Sequence, residues 1–261
     1  MVRSAIDSVA VDPFLQMLFV VNQEEHISTI PSLNCDQPEF YWIFRNIDFV
    51  QWDSANCSQV LWLSGPPKCN IHQVSSYIVK EKAPKIEYCF LYFFCSAAVG
   101  EKSVVSLFVH TLLYQIVSCS PMDKKNSIVR NFLHSLVDGI FKKDPNQLFE
   151  GPSETWLKRI LDAPTDDELW TALKAVLAKE QERELFIVVD GLDKVQHEKR
   201  EFINGVRTFV EHLQQRTSKV KILLTSRPQD EIKEILDGLP CIEYDKERKG
   251  LVAPRFLKEK I

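Results

Sequence analysis

Five short apolar runs, separated by stretches of helical periodicity, constrain this chain more than any other feature. Val60-Leu61-Trp62-Leu63-Ser64 runs into Gly65-Pro66-Pro67, and Leu185-Phe186-Ile187-Val188-Val189 is closed by Asp190. Val220 to Leu224 ends at Thr225-Ser226-Arg227-Pro228, Ile86 to Cys95 forms another run, and Cys241-Ile242-Glu243-Tyr244 is a last short one. Short continuous apolar runs bounded by turn signals read as strands buried on both faces. Helical spacing covers Ile71 to Lys80, Val104 to Val117, Ile128 to Phe141, Phe202 to Leu213 and Ile232 to Leu239. Thr165-Asp166-Asp167-Glu168 has the form of a capping box and predicts a helix through Lys179. Strands that alternate with helices imply parallel pairing. The expected architecture is a three-layer α/β fold, with a mostly parallel five-stranded sheet and helices on both faces.

Composition narrows the function classes. Lys and Arg total 32 against 36 Asp and Glu, a net charge of −4. That argues against a dedicated nucleic-acid binder, which usually carries a basic domain. The runs Lys124-Lys125 and Lys142-Lys143 read as solvated helix ends. The seven cysteines include no CxxC pair, so a zinc site has no support, and Cys89 and Cys95 read as buried small hydrophobes. No signal peptide and no membrane-length apolar stretch is visible, so the expectation is a cytoplasmic chain with no membrane partner. His110, His134 and His212 are lone histidines on helical patterns, read as partly buried or surface residues. The chain has only 8 glycines in 261 residues, under half the usual share of roughly 7%. Loops that approach a phosphate closely need glycine.

In an open α/β sheet, ligands bind beyond the carboxyl ends of the strands. Three strand ends carry polar or turn residues: Gly65, Asp190 to Asp193, and Thr225 to Arg227. Their order is that of a P-loop NTPase-type fold: strand, glycine loop and helix, then a strand ending in aspartate, then a strand ending in a polar sensor. The wording resembles the NACHT NTPases of the STAND group, especially the fungal nephrocystin-like type. The resemblance runs from Phe40 to Tyr244. It is carried by Trp42-Ile43-Phe44, Trp52, Gln59 to Pro67, Tyr92-Phe93-Phe94-Cys95, Leu112-Leu113-Tyr114-Gln115, Asp190-Gly191-Leu192-Asp193 and Ile222 to Pro228.

The resemblance implies a P-loop of the form Gly, four residues, Gly-Lys-Ser/Thr. Here that segment reads Gly65-Pro66-Pro67-Lys68-Cys69-Asn70-Ile71-His72. Asn70 stands for the second glycine, Ile71 for the phosphate-binding lysine and His72 for the magnesium-binding hydroxyl. Asn tolerates a left-handed backbone better than most residues. Ile71 removes a cation, and His72 is not the hard oxygen ligand that magnesium prefers. Lys68 falls where the family has an inner glycine; it is either a relocated cation or a surface lysine.

Asp190 matches the aspartate that holds magnesium in the family, or else makes local strand-end hydrogen bonds. Asp193 matches the second acid, and Lys194 replaces a glutamate expected to polarise water. Thr225, Ser226 and Arg227 match the sensor motif. Arg227 either faces a γ-phosphate or pairs with Asp190 or Asp193. Several electrostatic contacts of phosphoryl transfer are therefore missing.

The expectation is a degenerate NACHT-like pseudo-NTPase that works as a regulatory or signalling module through a protein partner or self-association. The alternative is a nucleotide-binding switch for ATP or GTP, with an unusual P-loop that uses Lys68, Asp190, Asp193 and Arg227 and with ATP or ADP and Mg2+ as its cofactors. Residues 1–35 read as a leader or partial helix and 36–250 as the NTPase-like core. Residues 251–261 read as a tail, with no winged-helix or repeat region.

Overall fold

A computed structural model describes residues 2–20, 23, 42–83, 88–95, 102–143, 153–162, 164–179, 184–214 and 219–244. The expected tail and residues 24–41 lie outside the described residues. The elements run α1 (Val2–Asp7), α2 (Val11–Met17), α3 (Ile47–Ser54), β1 (Gln59–Ser64), α4 (Ile71–Lys82), β2 (Tyr88–Phe94), α5 (Val104–Cys119) and α6 (Met122–Lys143). They continue with α7 (Ser153–Asp162), α8 (Asp166–Leu177), β3 (Glu184–Asp190), α9 (Lys199–Gln214), β4 (Val220–Ser226), α10 (Asp230–Ile235) and β5 (Cys241–Glu243).

The five strands form one sheet in the order β2-β3-β4-β1-β5, and every pair is parallel. The register sets Leu63 beside Thr225, Ser64 beside Ser226, and Phe94 beside Asp190. The three strand ends singled out by sequence thus finish at one edge of the sheet. Trp62 ties β1 to β4 there, its indole N–H donating to Ser226 Oγ at 2.9 Å.

Successive strand residues face opposite layers. Leu61, Leu63, Phe186, Val188 and Leu223 pack with Phe49 and Trp52 of α3 and with Val74 and Ile78 of α4. Val60, Trp62, Ile187, Val189, Ile222 and Leu224 face the other layer, with Phe108, Phe132, Leu173, Phe202 and Phe209. Ile6 and Phe14 from the N-terminal helices are fully buried in that second layer, and Phe14 meets Phe132 at 6.3 Å between ring centroids.

Polar groups fix the edges of this packing. Glu168 accepts the Thr165 backbone N–H at 2.8 Å, so the predicted capping box opens α8. Lys221 is fully buried and donates to the Trp52 and Ala55 carbonyls at 2.7 and 2.5 Å, closing the C-terminal end of α3. Its burial pulls the lysine pKa down. Strand β2 is an edge, and its outward backbone is covered by side chains. Gln115 accepts from Tyr92 N–H at 2.9 Å and donates to Tyr92 C=O at 3.0 Å, while Gln23 accepts from Phe94 N–H. Such cover opposes strand addition at Tyr92 and Phe94.

The histidine reading needs one correction. His134 is partly exposed, but His110 is fully buried, because α5 lies between the sheet and α6 and has little solvent face.

Candidate functional site

The loop after β1 is held by close packing. Gly65 N–H donates to the Ser226 carbonyl at 3.3 Å. A Cβ on Gly65 would sit 2.6 Å from Ile71 Cδ1 and 2.7 Å from Cys69 Sγ, so any larger residue there must displace those side chains. Cys69 and Ile71 turn inward, at 3% and 8% exposure, and join the core beneath α4. The position that the sequence pattern assigns to a phosphate-binding cation is thus occupied by buried hydrocarbon. Pro66, Pro67, Lys68, Asn70 and His72 are exposed.

Two residues of the loop have left-handed backbones, Lys68 at φ 73° and Asn70 at φ 58°. Asn70 takes this conformation at the position of the pattern's second glycine, as Asn does at modest cost. It immediately precedes α4, and its carbonyl receives the N–H groups of Gln73 and Val74 at 2.9 and 3.3 Å. Lys68 has no such tolerance, and left-handed non-glycine residues concentrate at functional sites.

Asp190 closes β3 at 4% exposure. Its Oδ1 accepts from Ser75 Oγ at 2.5 Å and from Thr225 Oγ1 at 2.7 Å. Thr225 Oγ1 in turn accepts from Gly191 N–H at 3.1 Å. Gly191, at φ 77°, then starts the 3-10 turn Leu192–Lys194. Asp193 is also nearly enclosed, its side chain 6% exposed. It accepts from Arg227 N–H at 3.1 Å, and Arg227 Nε lies 3.5 Å from its other oxygen. Lys194 Nζ approaches the same oxygen at 4.0 Å. Arg227 is paired with the Asp193 carboxylate. Asp190 likewise makes local hydrogen bonds.

Cys95, just past β2, lies at the same end of the sheet. Burial pushes its thiol pKa well up, and the charges of Asp190 and Asp193 push it further. It is therefore a neutral thiol, as its sequence context suggests.

These residues enclose one cleft of about 410 Å3. Gly65, Pro66, Lys68, Cys69, Asn70, Ile71 and His72 line one wall; Asp190, Gly191, Asp193 and Lys194 line the second; Thr225, Ser226 and Arg227 complete it. Only Pro67 of the predicted set is not in the lining. The rim is cationic, through Lys68, Lys194 and Arg227, and the floor is acidic, with both carboxylates already accepting from protein donors.

Ser75 is the residue that sequence reasoning passed over. It is fully buried one turn beyond His72. A Ser75-Ser76 pair inside an otherwise apolar helical face was its available signal. Among the described residues, no group of three or more His, Cys, Asp or Glu could hold a metal ion, and no helix is long and apolar enough to cross a membrane.

A fully parallel five-stranded sheet, helices on both faces and three polar strand ends around one cleft are consistent with a three-layer P-loop-like fold. The family model described as Nephrocystin 3, N-terminal matches residues 40–127 and 119–227, and the chain belongs to that family. No curated protein matches it.

Proposed function

We propose that this chain is a nephrocystin-like pseudo-NTPase of NACHT type, with a degenerate Walker A loop and with ATP hydrolysis lost or very weak. The observation that carries the reading is Ile71, an apolar side chain packed into the core at the position of the phosphate-binding lysine. A magnesium nucleotide does not fit the residues present. His72 offers an imidazole where magnesium needs an oxygen ligand. Asp190 Oδ1 is taken up by two hydroxyls, and Asp193 is engaged by Arg227 and Lys194. Lys194 cannot accept a proton from attacking water while charged. The preserved sheet then serves as a regulatory module that acts in the cytosol by binding a protein partner or a second copy.

A second reading is favoured by Lys68. Its left-handed backbone holds it in the lining of the same cleft as Arg227, where a relocated cation would meet the phosphates of a bound nucleotide.

Thermal unfolding in the presence of ATP or ADP, with and without magnesium, separates the two readings. A ligand that binds the native state must raise the melting temperature. The first reading expects no rise with millimolar ATP and magnesium. A rise of several degrees overturns it in favour of the second.

A further inference from the structure

A pair of cysteines unrelated to the cleft carries a further inference. Cys89 lies in β2 and is buried at 4% exposure, whereas Cys119, the last residue of α5, is exposed. Their sulfurs are 2.9 Å apart. A disulfide bond is roughly 2.05 Å long, so closing it needs an approach of under about 1 Å. The register is fixed independently of the thiols. Gln115, one helical turn before Cys119, clamps both backbone groups of Tyr92, three residues after Cys89. The helix end is thereby laid along the start of the edge strand, and the two thiols are brought together by the fold.

From this geometry we infer that Cys89 and Cys119 form a reversible dithiol–disulfide site, closed by exchange with a low-molecular-weight disulfide such as oxidised glutathione. Cys119 reacts first because it is the accessible thiol. Its thiolate attacks one sulfur of oxidised glutathione, the glutathione S–S bond breaks, and one glutathione leaves as a thiolate. Cys89 then loses its proton to water and attacks Cys119 Sγ, expelling the second glutathione. Two protein thiols are oxidised, and one oxidised glutathione is reduced to two thiols. The bridge ties residues 30 apart in sequence. A loop of that length restricts the unfolded chain and leaves the native fold in place.

The test is non-reducing peptide mapping of the full chain after incubation with oxidised glutathione. The expected product links the Cys89 and Cys119 peptides and carries no glutathione on Cys119. Cys57, also exposed, serves as a control that keeps its adduct. In Cys89→Ser the glutathione stays on Cys119, because the second attack is lost. A wild-type chain that retains glutathione on Cys119, or leaves both thiols unmodified, overturns the inference. A measurement that does not depend on the variant's folding is the melting temperature of the oxidised wild type, expected to rise by roughly 5–10 °C and to return on reduction. An oxidised, cross-linked chain melting at or below the reduced one would show that the bridge strains the fold, and would overturn it equally.

Discussion

Ser75 Oγ, on α4, lies 2.5 Å from Asp190 Oδ1, at the end of β3. This hydrogen bond joins the helix that follows the β1 loop to the strand that carries the acidic motif. Asp190 Oδ1 is thereby satisfied from α4 on one side and from Thr225 on the other.

Ser75→Ala is expected to destabilise the protein by about 1–3 kcal/mol, the usual cost of removing a donor from a buried charged acceptor. Thr225→Ala should cost a similar amount. The double variant should depart from additivity, since both hydroxyls serve one oxygen. Urea denaturation measures all three. A loss for Ser75→Ala within experimental error of zero would show that Asp190 does not depend on this contact.

Gly65→Ala places a methyl group against Ile71 Cδ1 and Cys69 Sγ, at 2.6 and 2.7 Å before any relaxation. Overpacking of this kind costs about 1–3 kcal/mol. Combined with Ile71→Val, which shortens the side chain it meets, Gly65→Ala should cost less than it does alone. Denaturation midpoints of the single and double variants check the coupling, and strict additivity would speak against the contact.

Ile71→Lys places a lysine where the P-loop pattern expects one. It gives up apolar burial worth about 1.5–3 kcal/mol and so lowers stability. It is not expected to create ATP turnover, since His72 and Lys194 remain. Phosphate release by the purified variant is the measurement. Hydrolysis above the wild-type background would mean that the lysine was the sole missing part.

Stability should fall on mild acidification because of His110. Burial, reinforced by the charge of Lys102, lowers its pKa from 6.5 to about 4, with Asp162 acting in the opposite direction. The folded chain thus keeps His110 neutral at a pH where the unfolded chain binds a proton. This contribution is fully present above pH 6.5 and disappears as the pH falls through the folded value of about 4. Its size is on the order of 3 kcal/mol, because each tenfold difference in proton affinity between the folded and unfolded chain is worth roughly 1.4 kcal/mol. His110→Leu should flatten that part of the stability profile. Denaturation of both proteins between neutral pH and the acid limit checks it, and identical slopes would exclude His110 as the source.

Much of the fold was legible because strand and helix signals are local. The apolar runs at 60–64, 185–189 and 220–224 appear as β1, β3 and β4, and the capping box at Thr165 opens α8. Helix α7 was not read, although Trp156, Leu157, Ile160 and Leu161 recur at helical spacing over Ser153–Asp162. The N-terminal segment gave only weak periodicity. Its helices α1 and α2 owe their place to the burial of Ile6 and Phe14 against a layer built from distant residues.

By itself the sequence determined the strand ends, the loop between Gly65 and His72, and the presence of Ile71 and His72 in it, because residue identity needs no coordinates. Tertiary structure alone decided that Ile71 turns into the core, that Ser75 and Thr225 converge on Asp190, and that Arg227 joins Asp193. It also decided that Cys89 meets Cys119 across 30 residues of chain. The reason is physical. A side chain's partner depends on the strand register and on which helix covers which face, and both are set by the packing of the whole sheet.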